Sequence, residues 1–393
     1  MVESFRRDPV KWILWIVMGL GLVWAFFFVG NGPQYILNGM RFGSILMLGA
    51  IGLTLTYKIL NFANFAHGDI LLFGAYVAYS VDWLLVDLLP QWLPALADPA
   101  SANLLRWLAI VVAILVSVAI TILASFLIDH VLYRRMRRSA TVVLVIASFG
   151  MALFMRAFIQ AIWGVQNKSY AMRISLPTTF DFFGLFQIKM TPIHIVTIIV
   201  ALLLVSATHF FLKYTKTGKA MRAMSDNMDL AQVSGINIER MIRWTWGLGS
   251  GLAAVSGVFI GLNLGIFIPN TGALILLSLF AAVILGGIGS AYGAMLGGLV
   301  IGVAQTILIA PVKLIDISAF RFNIPFTDTT LLDLSHLTLT IPFTDINLID
   351  LGALQNFELM IGSQYKPDIA FLLMILMLLV RPQGLIGKPE RKG

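Results

Sequence analysis

Gly52-Leu-Thr-Leu-Thr-Tyr-Lys-Ile-Leu-Asn-Phe-Ala-Asn-Phe-Ala-His-Gly-Asp69 joins two long apolar runs, 35–57 and 66–89. Each run is long enough to cross a bilayer, since a spanning helix needs about 20 mostly apolar residues. The join is polar. Asn61, Asn64, His67 and Asp69 are costly at membrane depth unless they meet a partner or a water-filled path. One reading is an interfacial turn capped by the Asp or the His. The other is a discontinuous helix whose freed backbone groups and amides line a polar path. Either way, the runs on both sides belong in lipid.

The rest of the chain extends this pattern. Of 393 residues, 59% are hydrophobic and 12% charged, with a mean hydropathy of +0.90. Soluble domains carry about 25% charged residues, so the excess apolar surface here must face lipid. Ten stretches qualify as spans: 12–30, 35–57, 66–89, 104–128, 141–164, 192–212, 244–267, 272–288, 290–311 and 367–381. Arg6, Arg7 and Lys11 before the first suggest a signal peptide, but the run is long and no small-x-small cleavage site follows, so it reads as an anchor. With the N-terminus inside, 18 of the 27 Lys and Arg fall on inner segments, seven on outer ones and two, Arg41 and Arg156, within helices. This satisfies the positive-inside rule with both termini cytoplasmic, and the net charge of +8 becomes topological rather than a sign of nucleic acid. Arg41 and Arg156 sit in the outer halves of their spans, where they either snorkel to headgroups or face the polar path. Asp82 and Asp87 are the acids near enough in sequence layout to pair with them. Cysteine is absent, which excludes disulfides, thiolate metal sites and a cysteine nucleophile.

Further features are local. Gly257, Gly261 and Gly265 recur every fourth residue, as do Gly293 with Gly297 and Gly298 with Gly302; in lipid such spacing allows close helix packing. The run Gly286-Gly287-Ile288-Gly289-Ser290 reads as packing or as a flexible joint between two half-spans. Residues 213–243 form a long polar segment of helical character, with Ala220, Ala223 and Met224, then Leu230, Val233 and Ser234, at helical spacing before Gly235-Ile236-Asn237. It suits headgroups or a groove in a soluble partner, and Asp226 and Asp229 favour the partner. Residues 312–366 contain a repeat: Phe322-Asn-Ile-Pro-Phe-Thr-Asp-Thr-Thr-Leu-Leu-Asp-Leu334 is echoed by Leu339-Thr-Ile-Pro-Phe-Thr-Asp-Ile-Asn-Leu-Ile-Asp-Leu351. Its alternation and β-branched residues predict short strands in a hairpin-like flap.

These motifs carry a resemblance. Residues 52–69, continued by Leu72-Phe-Gly-Ala-Tyr76, closely resemble the signature of branched-chain amino-acid ABC permeases, in the subunit with the "NFAHG" motif. Lys219-Ala-Met-Arg-Ala-Met-Ser-Asp-Asn-Met-Asp-Leu-Ala-Gln-Val-Ser-Gly235 is similar to that family's coupling segment. Ala281-Ala-Val-Ile-Leu-Gly-Gly-Ile-Gly-Ser290 and Arg381-Pro-Gln-Gly-Leu-Ile-Gly387 also match family patterns. The resemblance covers about 36–311 and 366–387.

What it implies is an all-α integral membrane protein of about ten transmembrane helices with a short β-like periplasmic insertion. Its parts would be an added N-terminal anchor (1–34), a permease core (35–311), the insertion (312–366) and a last helix with a basic cytoplasmic tail (367–393). Such a permease resides in the cytoplasmic membrane of a bacterium or archaeon and pairs with a second permease subunit in a heterodimer. Two ATP-binding subunits dock inside, and a periplasmic substrate-binding protein docks outside. ATP and Mg sit on the partner ATPase subunits, with no cofactor in this chain. The cargo would be leucine, isoleucine and valine, or urea and short amides as in close relatives. The resemblance implies Asn61, Asn64, His67 and Gly68 near the substrate path. It implies Ala223, Met224, Asp226, Leu230, Ala231 and Gly235 in ATPase coupling and Gly68 as the point where the chain turns, while Gly286, Gly287 and Gly289 are the residues of the flexible joint read above from the glycine run. The sequence departs from the family at Lys58, where many members have glycine, and in the length of 312–366.

Rival classes find little support. A resident ATPase needs a phosphate loop, and Gly218-Lys219 lacks both its upstream glycine and the following Ser or Thr. An ion-coupled secondary carrier would show more ionisable residues deep in its spans. An intramembrane enzyme would show an HExxH pair or a GxSxG elbow, and neither occurs. No catalytic or metal-ligating set is expected.

Overall fold

The computed structural model describes residues 9–28, 31–92, 102–137, 139–172, 177–182, 186–310, 312–313, 321–323, 330–333, 338–340, 347–350, 358–359 and 362–386. It is mostly helical. The first helices are α1 (Pro9–Phe28), α2 (Gly32–Leu60), α3 (His67–Trp92), α4 (Ala102–Ile128), α5 (Thr141–Trp163) and α6 (Pro192–Tyr214). Two short helices follow, α7 (Lys216–Asp226) and α8 (Met228–Val233). Then come α9 (Ile238–Leu264), α10 (Thr271–Gly286), α11 (Ala291–Ile307) and α12 (Lys366–Val380). α4 continues through a π turn at Asp129–Tyr133 to Met136.

Among the described residues, six helices are long and apolar enough to cross a membrane: α2, α3, α4 through Met136, α5, α6 and α9. α10 and α11 are apolar but have 16 and 17 residues, and α12 has 15. The chain is therefore a multi-pass membrane protein. α9 begins at Ile238, ahead of its apolar run at 244, because Asn237 caps it by accepting from the Arg240 N–H at 2.9 Å.

Burial sorts these helices. The apolar window of α2 is 83% buried, against 28% for α4, 28% for α5 and 22% for α6. α2 is the axis, wrapped by α11, α9, α6 and α10, while α3 packs on α4, α9 and α10. The outward faces of α4, α5 and α6 carry exposed Leu, Ile and Phe, as lipid contact requires.

Lipid gives helices no hydrophobic reason to associate, so they must touch through small residues. They do so at backbone distance. A side chain on Gly302 would overlap the Gly43 backbone, and one on Gly298 would come 2.7 Å from Met47 Cα. Gly257 and Gly261 likewise abut Leu71 and Tyr170. Gly265, the third of that series, differs: with φ 78° it ends α9 and leads into the paired backbone of Lys168 and Phe267.

Strands occur outside the bundle. β1 (Thr178–Phe182) and β2 (Phe186–Met190) form a hairpin with Thr178 opposite Met190. In the insertion, β3 (Val312–Lys313) pairs with β8 (Glu358–Leu359). Between them β4 (Arg321–Asn323), β5 (Thr330–Asp333), β6 (Thr338–Thr340) and β7 (Asn347–Asp350) make an antiparallel four-stranded meander. Each copy of the repeat supplies one hairpin in one register: Phe322 faces Leu332 and Leu339 faces Ile349. The irregularity after Phe322 recurs after Leu339.

The close contact of α11 with α2 makes a stability prediction. Gly302→Leu should cost about 1–3 kcal/mol by overpacking, lowering the melting point of the detergent-purified protein. Gly150→Leu on α5, where an added Cβ meets nothing within 4 Å, should leave it unchanged.

Candidate functional site

The 61–69 joint is built by its neighbours. α2 ends at Asn61, which adopts a left-handed conformation (φ 55°) and donates its N–H to Tyr57. Asn64 is wholly buried, and its Oδ1 accepts from the Ala66 N–H at 3.1 Å and from the Tyr133 hydroxyl at 3.2 Å. Its Nδ2 has no protein partner. Ser148 of α5 accepts from the Phe65 N–H at 3.1 Å, and its one hydroxyl proton is shared between the Val145 carbonyl at 2.7 Å and the Ala63 carbonyl at 3.3 Å. His67 is buried and its Nε2 donates to the Gly49 carbonyl at 3.0 Å, pinning the start of α3 to the middle of α2. Gly68 lies against the Gly272 backbone of α10. Freed backbone groups are costly in lipid; here Ser148 of α5 and the Asn64 side chain meet those of Phe65 and Ala66.

Asp69 is not a capping residue. Its two oxygens accept from Arg156 Nε and Nη2, both at 3.2 Å, with the Asp side chain 1% exposed and the Arg 24%. Arg156 therefore neither snorkels nor pairs with Asp82 or Asp87. Asp82 instead accepts the Ala171 N–H at 2.8 Å. A carboxylate so deep needs a partner, and the charge-assisted fork supplies one.

A second polar chain leaves the joint through Tyr133. That ring stacks on Trp246 of α9, centroids 5.3 Å apart. Trp246 Nε1 donates to Asp129 at 2.9 Å, and Asp129 also accepts from Arg137 at 2.6 Å. Arg137 reaches on to Glu239 in the first turn of α9 at 2.5 Å. The network thus runs from Asn64 to the root of the 213–243 segment. Sequence reasoning missed it; the available signal was Asp129, an acid ending the long apolar run of α4.

The segment itself is two capped helices. Thr215 accepts from the Gly218 N–H at 2.9 Å to start α7, and Asn227 accepts from Leu230 at 2.9 Å to start α8. Gly235, at φ 81°, closes α8 with the Ile236 N–H donating back to Ala231. Met224 and Ala231 are buried against the bundle. Ala223, Asp226 and Gly235 are exposed, as is Leu230 at 65%, beside Val233 at 87%.

The glycine run lies at the same end. Gly287 (φ 109°) and Gly289 (φ 80°) turn the chain between α10 and α11, and Gly286 contacts Gly293 backbone to backbone. Leu385 and Ile386, within the 381–387 motif, donate to the carbonyls of Leu285 and Gly286 at 2.8 and 3.1 Å. A cleft of about 510 Å³ joins these parts, bordered by Lys58, Met221, Asp226, Gly289 and Ile386. Lys58, without an account in the sequence, rests its stem against Gly289. Asn61 is exposed near this end, whereas Asn64, His67 and Gly68 are held inside the joint.

Comparison with known proteins gives a consistent result. Residues 35–319 match the family model described as branched-chain amino acid transport system / permease component. The high-affinity branched-chain amino acid transport system permease protein LivH of Salmonella typhimurium is 28% identical over 363 residues, 91% of this chain and 96% of the relative. BraD of Pseudomonas aeruginosa is 29% identical over 359 residues, with 91% and 96% covered. A probable LivH of Methanocaldococcus jannaschii is 33% identical over 282 residues, 70% of this chain and 81% of the relative. No solved structure matches the chain.

The ion pair at the joint is testable by a double-mutant cycle. Asp69→Asn and Arg156→Gln should each cost about 3 kcal/mol by stranding a buried charge or its partner. The combined variant should lose clearly less than the sum, read as melting in detergent; additive losses would show the two groups uncoupled.

Proposed function

Because the chain belongs to the branched-chain amino acid transport permease family, we propose that it is the membrane subunit of a binding-protein-dependent ABC importer for leucine, isoleucine and valine. In this reading all ten apolar stretches cross the cytoplasmic membrane, both termini lie inside, and a second permease subunit completes the path. Two partner subunits hydrolyse ATP, and a binding protein delivers cargo from outside. The 61–68 joint borders the path, with Asn61 open to it. Gly286, Gly287 and Gly289 form the turn that yields as the helices move.

The observation that carries the reading is the exposed apolar edge of α8. Leu230 and Val233 are exposed on α8, which is held by its own buried Ala231 beside the buried Met224 of α7, and the polar chain from Asn64 ends at Glu239 beside it. A soluble partner seated on α7 and α8 would cover that edge and hold a lever connected to the joint. Asp226 and Asp229 suit a protein surface better than anionic lipid.

The test is ATP hydrolysis in liposomes by this chain with its co-purified partners and binding protein, supplied with leucine, isoleucine, valine or urea. Leucine-class amino acids should stimulate hydrolysis and uptake severalfold, and Leu230→Glu with Val233→Glu should abolish the stimulation. Stimulation by urea alone would keep the machine and change the cargo. Uptake driven by an ion gradient with no co-purifying ATPase would overturn the reading.

A further inference from the structure

At the end of the bundle opposite the 213–243 segment, a second cleft of about 390 Å³ opens between α2, α9, α10, α11 and the start of α12. This lies within the usual range for small-molecule sites, about 300–1,000 Å³. Two cations face it, Arg41 from α2 and Lys366 from α12, and no residue lining it is acidic among those described. Neither cation has a salt bridge among the described residues. Arg41 touches His194 through one terminal nitrogen, and its buried Nε has no partner. Lys366 Nζ lies 5.7 Å from the Phe42 ring centre, and its backbone carbonyl accepts from the buried Gln305, which fixes the residue. Unneutralised cations beneath a membrane surface are costly, so an anionic occupant would stabilise both.

The remaining lining supplies the other parts of one ligand. Asn263 uses its Nδ2 on Thr197 and Phe259 at 3.0 and 2.7 Å, leaving a buried Oδ1 with no donor. Ile45, Ile260 and Ile275 add apolar lining. An acceptor awaiting a donor, a pair of cations awaiting an anion and a branched aliphatic lining match an ammonium, a carboxylate and an aliphatic side chain.

We infer that this cleft binds an aliphatic amino acid, its carboxylate between Arg41 and Lys366, its ammonium on Asn263 Oδ1 and its side chain on the isoleucines. The inference rests on the import reading and adds to it a site within the permease itself. A phospholipid without a headgroup amine would use the cations and lay a chain on the isoleucines but leave Asn263 Oδ1 without a donor.

The experiment is equilibrium binding of tritiated leucine to the detergent-purified complex of this chain with its co-purified subunits, without binding protein. Arg41→Gln and Lys366→Met should each weaken leucine about tenfold or more, as loss of a charge-assisted hydrogen bond does, while Arg41→Lys keeps most of the affinity. Leucinamide, which lacks the carboxylate, should compete about tenfold less well with the unmodified complex and lose nothing further in Arg41→Gln. Lys366 stands on a different helix, so its variant reports even where Arg41→Gln fails to assemble. Unchanged leucine affinity in both variants, with or without loss of bound phospholipid phosphorus, overturns the site and leaves import intact. An unmodified complex that neither binds nor imports leucine overturns both.

Discussion

Backbone-to-backbone contact around α2 is the constraint from which the rest of the arrangement follows. In lipid an apolar side chain gains little by leaving one apolar neighbour for another, so helix association depends on packing and on interhelical polar contacts. Gly43 against Leu299 and Gly52 against the Gly249 backbone let α11 and α9 close on α2, and Gly68 against Gly272 lets α10 close on the start of α3. That closeness brings His67 within reach of the Gly49 carbonyl. It also excludes lipid from the joint, where Asn64 and Asp69 would otherwise sit unsatisfied.

Once the joint is enclosed, its polar groups need partners in the protein, and these partners connect distant parts. Arg156 answers Asp69 from α5. Tyr133 answers Asn64 and passes the connection through Trp246 and Asp129 to Arg137 and Glu239. Breaking a buried member of such a network strands a polar group, so its bonds are costly to lose. These contacts form one continuous chain from the joint to the first turn of α9, beside the α7–α8 segment. The two clefts lie at opposite ends of the bundle, one beside the segment and one beneath Arg41 and Lys366.

Much of this was legible in the sequence because the governing rules are local. Helices occupy the apolar stretches, the polar joint falls between α2 and α3, and Gly298 and Gly302 pack as their spacing suggests. The insertion's hairpins were legible because each repeat copy carries its own two strands. What stayed hidden depended on contacts across sequence. Arg156 and Asp69 are 87 positions apart, and nothing local distinguishes an arginine in an ion pair from one that snorkels. The Arg41 cleft needs five helices to exist at all. Helix ends were also misjudged where a cap outranked hydropathy: Asn237 starts α9 within the polar segment, and Asn227 divides that segment into two helices.

The central claim is that α7 and α8 are the surface through which ATP hydrolysis acts on the membrane helices. The chain has no cysteine, so a single cysteine at Val233 can be placed without background. The direct measurement is site-specific cross-linking from that position in the assembled complex, with and without ATP. The account predicts a cross-link to the ATP-hydrolysing subunit whose yield changes with nucleotide. A position that labels only from lipid, or reacts freely with a water-soluble thiol reagent in the complete complex, would contradict it.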